Sequence, residues 1–172
     1  RIAADLSNAH EIAPLVTRAD AVIFSAAPSE RSEHAYRALY IDGLKNLTHA
    51  RDAQPLLFCS STAVYGENSG AWVDESTVTA PSAFNGRILV EAENLLRAGD
   101  TALRLGGLYG PRFTGDGEAN SVRDFARRQA LSGATPLAQH WTNRIHLVDA
   151  ARAIVFTLNL SSPPLKLNLV DD

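Results

Sequence analysis

The sequence predicts an α/β fold, a doubly wound parallel sheet with helices on both faces. Two observations lead there. Short, wholly apolar runs alternate with amphipathic stretches along the chain, the pattern of buried strands joined by crossover helices. Small, hydroxyl-bearing or acidic residues also recur just after the apolar runs, at Asp5, Ser25 to Ala27, Ser60 to Thr62 and Gly106 to Tyr109. In an open parallel sheet those positions sit beyond the carboxyl ends of the strands, where ligands bind. Four of them in succession point to one ligand cleft.

In chain order, "RIAAD" reads as the tail of a strand. A short helix is expected near Pro14 to Arg18, because proline is tolerated in a first helical turn. "DAVIFSAAP" (20–28) is a continuous apolar run closed by small residues and proline, suited to a strand buried on both faces. Tyr36, Leu39, Tyr40, Gly43, Leu44 and Leu47 recur at three- and four-residue steps, predicting a helix over 30–50. "PLLFCSS" (55–61) is a second buried strand, followed by a polar, glycine-containing loop to about Ser82. Ile88, Leu89, Ala92, Leu95 and Leu96 mark the next helix, with Gly99 as its stop. "TALRLGGLYGP" (101–111) reads as a strand running into a Gly/Pro loop, and a helix is expected over 120–132. "NRIH" is a short extended piece, a helix follows from about Val148, and "LKLNLVDD" is a last strand.

The chain has 172 residues, 45% hydrophobic and 20% charged, with a net charge of −3. That is enough for a single domain with a real core. It offers no basic face for nucleic acid and no polybasic membrane patch. No apolar run approaches the roughly 20 residues of a membrane span, and no secretory signal opens the chain. Cys59 is the single cysteine. It excludes an intrachain disulfide, argues against a cysteine-based metal site, and reads as a small buried hydrophobe; no metal is assigned. These features fit a cytoplasmic protein. The chain begins at Arg1 in what reads as mid-strand and contains no Met. We therefore expect residues 1–172 to be a single, partial domain of a longer protein.

Several segments together resemble one family. "ADLSN" is similar to an acidic strand end whose Asp-Leu pair lies over an adenine. "DAVIFSAAP" resembles a strand whose small residues line a cofactor. "FCSSTAVYG" resembles the family's serine strand and is the most specific motif. "GAWVDES" followed by Pro81 resembles the Asp-Glu loop after it. "LRLGGLYGP" and "NRIHLVDAARAI" resemble the later cofactor-loop and substrate-side segments. On these motifs the chain resembles, over essentially its whole length, the extended short-chain dehydrogenase/reductases, or NAD-dependent epimerase/dehydratase family, in an atypical branch. The resemblance implies a Rossmann-like NAD(P)-binding fold, with NAD or NADP as cofactor and a nucleotide-sugar-like or other polar substrate. It also implies dimerisation through the helices spanning 30–50 and 84–98. The Gly-rich phosphate turn and the residues that choose NAD over NADP are expected before Arg1. Most of a substrate lobe is expected after Asp172.

The resemblance places Asp5, Leu6, Ser25, Ala26, Ala27, Ser60, Arg87, Gly107 and Leu108 around the cofactor. Asp5 could accept from an adenine amine or simply cap a helix. Arg87 could hold a phosphate or ribose or be a solvated helix arginine. Thr62, Tyr65, Asn85 and Arg144 fall on the substrate side, although Tyr65 reads more readily as a structural ring. Ser61 falls where the family places the hydroxyl that bonds the substrate oxygen.

The pattern then breaks. The family's tyrosine and its lysine four residues on would fall at Asn85 and Leu89, or at Phe84 and Ile88 if the register slides by one. Its supporting asparagine would fall at Tyr40. Neither register offers a phenol or an ammonium. His146 is the best acid/base residue left, since imidazole titrates near neutrality. It could equally be a structural histidine holding its loop to Asp149. Two readings follow: an oxidoreductase with altered chemistry, and a catalytically silent dinucleotide-binding sensor or scaffold. A Ser61/His146/Asp149 hydrolase is disfavoured, because no Gly-x-Ser-x-Gly elbow surrounds Ser61.

Overall fold

The computed structural model describes residues 2–110 and 142–171. Four strands form a parallel sheet in the order β1 (Val22–Phe24), β2 (Leu56–Ser61), β3 (Thr101–Leu105), β6 (Lys166–Leu169). Phe24 pairs with Phe58, Ser61 with Leu105 and Leu105 with Leu169, so the carboxyl ends align. A second, two-stranded parallel sheet joins β4 (Gly107–Tyr109) to β5 (Arg144–His146). The expected single strand over 101–111 is thus divided at Gly106. Its amide donates to Leu169, and the next amide, of Gly107, donates to Asn143 instead.

Residues 2–5 form no strand, contrary to expectation. The first helix, α1 (Ala9–Val16), starts well before Pro14 and carries that proline in its interior. Asn8 sets the start. Its side chain accepts from the His10 amide and donates to Glu11, the usual chemistry of an N-cap, and Ile12 and Val16 bury one turn apart. The helix expected over 30–50 runs as α2 (Glu33–Arg37), a π-helical stretch (Ala38–Gly43) and α3 (Leu44–Ala50). Next comes α4 (Phe84–Glu93), which is shorter than expected: Leu95 and Leu96 lie in the turn beyond it. The chain then turns at Gly99, at φ +90°. The apolar run 20–28 yields only a three-residue strand, since Ser25 to Ala27 are exposed. Helix α5 (Leu147–Leu158) begins where expected. The helix expected over 120–132 lies outside the described residues.

One face of the sheet presents Phe24, Leu56, Phe58 and Ala102 to Tyr40, Ile41, Leu44, Ile88, Leu89 and Ala92 from the helices. Leu57 and Leu103, alternating with these along their strands, are buried as well, so the central strands are apolar on both sides. At the amino edge of the sheet a buried ion pair joins Arg51 to Asp100. Asp100 also accepts from the amides of Leu56 (3.1 Å) and Arg97 (2.7 Å). Among the described residues, no helix is long and apolar enough to cross a membrane.

Candidate functional site

The carboxyl edge of the sheet carries the polar residues. At the end of β1, Ser25, Ala26 and Ala27 are exposed and small. Behind them the Tyr40 phenol donates to the Ala26 carbonyl at 3.4 Å. Burial pushes this phenol up to about 12, so it stays protonated and acts as a fixed donor. Three small side chains on a held backbone fit the close approach of a flat ring system. Leu6 is fixed by Asn46 of α3, whose side-chain amide donates to the Leu6 carbonyl at 3.0 Å. Asp5 is exposed and accepts from the Ser7 amide; hydrogen bonds from Ser7 hold its carboxyl below the usual value. Leu6 packs against the core.

At the end of β2 the two serines divide their work. The Ser60 hydroxyl points inward and donates to Glu93 at 2.7 Å. Ser61 is half-buried, and its oxygen accepts from the Ala63 amide at 3.1 Å, capping the 3-10 turn Thr62–Val64. That turn packs against the start of α4 at Gly86. A Cβ there would lie 2.3 Å from the Ala63 carbonyl oxygen and 2.5 Å from Pro81, so only glycine lets the two come together.

Beside this turn opens a cleft of about 800 Å³. Thr62, Tyr65 and Arg144 line it, together with Trp72, Tyr109, Asn143, Asn168 and Asp171. Three of the four residues expected on the substrate side therefore meet in one cavity. Thr62 donates to the Asn143 side chain at 2.8 Å. Arg144 folds against the face of Gly107, and its carbonyl accepts from the Asp171 amide at 2.6 Å. Leu108 is exposed nearby. The Tyr109 phenol donates to the Asp171 carboxylate, which raises its pKa.

Asn85, the fourth, is half-buried and does not line the cleft; its Oδ1 is enclosed with no hydrogen-bond partner among the described residues. Arg87 is exposed, and its guanidinium donates to the Ser82 carbonyl of its own loop. His146 does not hold the loop to Asp149, which pairs with Arg152 instead at 3.0 Å. Its Nδ1 accepts from the Val148 amide at 3.3 Å as the N-cap of α5. Its ring meets Tyr109 edge-on at 5.2 Å.

The four other positions where the catalytic pattern breaks, Leu89, Ile88, Phe84 and Tyr40, are filled by packing, with Ile88 buried in the apolar core. Leu89 is 5% exposed and lies in the apolar core. Phe84 stacks edge-on against Tyr36 at 5.4 Å. Tyr40 packs against Phe24 and Phe58. Cys59 is largely enclosed and burial lifts its thiol to about 11, as befits a structural residue.

Sequence reasoning missed the polar group beneath the cleft, made by Arg104, Glu93, Tyr65 and Asn168. A signal was present: an arginine inside the apolar strand "TALRL" requires a buried partner.

A parallel sheet with small residues and hydroxyls at its carboxyl edge, opening on a polar cleft, defines a dinucleotide-fold protein with a ligand site at the strand ends. Comparison with known proteins narrows the class. The family model described as "NAD dependent epimerase/dehydratase family" matches residues 1–169, and the chain belongs to that family. A comparison with curated protein sequences finds no match. Among solved structures, a Methylobacillus flagellatus protein named for the same family is 30% identical with a TM-score of 0.78, over 99% of this chain and 60% of its own. UDP-N-acetylglucosamine 4-epimerase from Methanobrevibacter ruminantium, in complex with UDP-N-acetylmuramic acid, is 22% identical with a TM-score of 0.77, over 98% of this chain and 60% of its own. UDP-glucose 4-epimerase from Brucella ovis, in complex with NAD, is 23% identical with a TM-score of 0.75, over 98% and 63%. The chain thus spans about 60% of the length of these structures.

Proposed function

We propose that this chain is part of an NAD(P)-binding oxidoreductase of the epimerase/dehydratase family, acting on a nucleotide-sugar-like or other polar substrate. The observation that carries the reading is the convergence at the carboxyl edge, where Ser25 to Ala27 end β1 and Ser61 and Thr62 end β2 beside the cleft. The nicotinamide cofactor, when bound, supplies hydride transfer. Ser25 to Ala27 would let its ring system approach the backbone, with Asp5 and Leu6 toward the adenine and Arg87 toward a phosphate or ribose oxygen. Ser60, Gly107 and Leu108 would complete that side. The Ser61 hydroxyl would hold the reacting oxygen of the substrate, with Thr62, Tyr65, Asn85 and Arg144 orienting it. Arg144, cationic and facing the cleft, suits a phosphate-bearing substrate. His146 would move the proton through its Nε2, since Nδ1 is committed to the Val148 amide.

A second reading is favoured by a specific observation: in either register, Asn85 and Leu89 or Phe84 and Ile88, the positions of the family's tyrosine and lysine hold no phenol or ammonium, and Ile88 and Leu89 are both built into the core. Under it the protein binds the dinucleotide as a sensor or scaffold and turns nothing over. The proposal includes a homodimer through the helical faces of α2–α3 and α4, which sedimentation velocity tests; a monomer at micromolar concentration removes it.

The functional test is a fluorescence titration of the full-length protein with NADH and NADPH, comparing wild type, Ser61→Ala and Arg87→Ala. Micromolar binding, weakened by Arg87→Ala, is expected. Ser61→Ala should leave cofactor binding intact and abolish any turnover found in a sugar-nucleotide screen. Absence of binding to either nucleotide overturns both readings.

A further inference from the structure

Under the floor of the cleft lies a set of buried polar groups, of which the proposed chemistry uses Ser60 and Tyr65 but not Arg104 or Glu93. Arg104 is fully buried in the central strand β3. Its guanidinium forks onto Glu93, Nε to Oε1 at 3.1 Å and Nη2 to Oε2 at 2.7 Å, while Glu93 also accepts from Ser60. Burial alone would pull the guanidinium's pKa down, but the hydrogen bonds to Glu93 and Tyr65 and the charges of both together outweigh it, so the charge is retained. The remaining nitrogen, Nη1, donates to the Tyr65 hydroxyl at 2.7 Å. With that oxygen accepting from Arg104, the single Tyr65 proton is shared between the Asp74 carbonyl at 2.9 Å and the Asn168 side chain at 2.8 Å. Separately, the backbone N–H of Asn168 donates to the Glu75 carboxylate, next to Asp74, at 2.6 Å.

These bonds converge on one end of the loop 66–77. Its other end is pinned where the backbone of Gly66 meets Ala80; a Cβ there would sit 2.2 Å from the Ala80 oxygen. Between the two anchors the loop carries Trp72, fully exposed and lining the cleft. A large aromatic side chain thus stands in solvent at the cleft mouth on a loop whose Asp74 end is tied through the Tyr65 hydroxyl to one buried guanidinium.

We propose that Arg104 is a positioning residue: without touching a ligand, it fixes the Tyr65 hydroxyl and through it holds loop 66–77, with Trp72, as a wall of the substrate cleft. The role of that wall rests on the substrate class proposed above; the holding of the loop does not. Tyr65 thereby joins the strand that carries Ser61 to the wall that faces the substrate, which explains why a charged residue is kept inside a central strand.

The test has two arms in the full-length protein. In the first, amide hydrogen exchange is followed in wild type, Arg104→Lys and Tyr65→Phe. Both variants should raise exchange across 66–77 and at Asn168 about tenfold or more, as expected for a lost charge-assisted hydrogen bond, with β2 and α1 unchanged. In the second, UDP and NADH binding are measured by calorimetry. UDP affinity should fall about tenfold in both variants, with NADH affinity within about twofold of wild type. Tyr65→Phe keeps the ring and its packing, so it decides the question if Arg104→Lys fails to fold. Unchanged loop exchange in Tyr65→Phe overturns the proposal, and so does raised exchange with undiminished UDP affinity. Failure of wild type to bind UDP removes the substrate class, while the exchange arm still decides whether Arg104 holds the loop.

Discussion

Replacing Leu89 by lysine puts back the charge that the family pattern calls for, and the structure says what that costs. Leu89 is 5% exposed within the apolar cluster of Ile88, Ala92, Leu44 and Phe58. The lysine stem can occupy the leucine's space, so most of the cost comes from burying the ammonium. A lysine enclosed in apolar surroundings has a pKa near 5 or 6, so at neutral pH it folds uncharged. Removing the proton at pH 7 from a group whose unfolded pKa is about 10.4 costs about 1.36 kcal/mol per unit, or about 4.6 kcal/mol. That is a large part of the roughly 5–15 kcal/mol that stabilises a domain. The sign is distinctive. Between the folded and unfolded pKa values the unfolded chain binds the extra proton, so the variant regains about 1.36 kcal/mol per pH unit and approaches wild type near pH 10. Urea unfolding of Leu89→Lys and wild type at pH 7, 8, 9 and 10 measures this directly. A difference below about 1 kcal/mol that does not change with pH would refute the reasoning; it would mean that the ammonium reaches water or the cleft. The double variant Asn85→Tyr, Leu89→Lys is expected to inherit the same penalty and to gain no affinity for NADH.

Asp100→Ala should destabilise by about 3–5 kcal/mol, because it leaves the buried Arg51 charge and two backbone amides without their acceptor. Calorimetry should show Tm lower by about 6–20 °C. NADH affinity should be unaltered, since Asp100 lies at the amino edge of the sheet, away from the cleft. Arg51→Met with Asp100→Leu should recover the part due to the unpaired charge but not the part due to the two amides left without an acceptor. The Asp74 carboxyl is held below its usual 3.8 by bonds from Ser76 and Thr77, so its contribution to loop 66–77 is present above that value and is lost as pH falls through the lower folded one. Exchange protection of the loop should therefore hold at pH 5 and begin to fall only below about 3.8. Cys59, with its thiol near 11, should react with iodoacetamide at neutral pH far more slowly than a free thiol, and at an ordinary rate in urea.

The sequence made the sheet legible because its central strands are buried on both faces and therefore read as unbroken apolar runs, as at Leu56 to Phe58. Boundaries were less legible. Pro14 suggested a helix start, but the Asn8 cap lies six residues earlier and decided it. The run 20–28 looked like a long strand because Ala26 and Ala27 are apolar, yet both lie exposed past the end of β1. For the site, hydroxyl and small residues at strand ends could be read directly, and Thr62, Tyr65 and Arg144 do share one cleft. Their partners could not, because Asn168 on β6 and Asp171 just past its end lie about a hundred residues beyond Thr62 and Tyr65. His146 shows the same limit. Its neighbour in sequence, Asp149, suggested a pair, while the fold gives the imidazole a helix cap and gives Asp149 to Arg152.

The altered positions are not scattered. Leu89 and Tyr40 both enter the aromatic and aliphatic cluster between the helices and β1–β2, with Phe84 packed at its edge. The side that in a working tyrosine–lysine pair would need a cation and a labile phenol has become core. On the other side of the cleft the polar apparatus is complete: Ser60 to Glu93 to Arg104 to Tyr65 to Asn168, and Thr62 to Asn143. Buried polar groups of that kind persist only when fully satisfied, since a half-satisfied network costs more than an apolar replacement. Under the enzyme reading the β4–β5 side, where Tyr109, Asp171 and His146 meet, would supply the proton, and a pH–rate profile set by that cluster would separate an enzyme from a sensor.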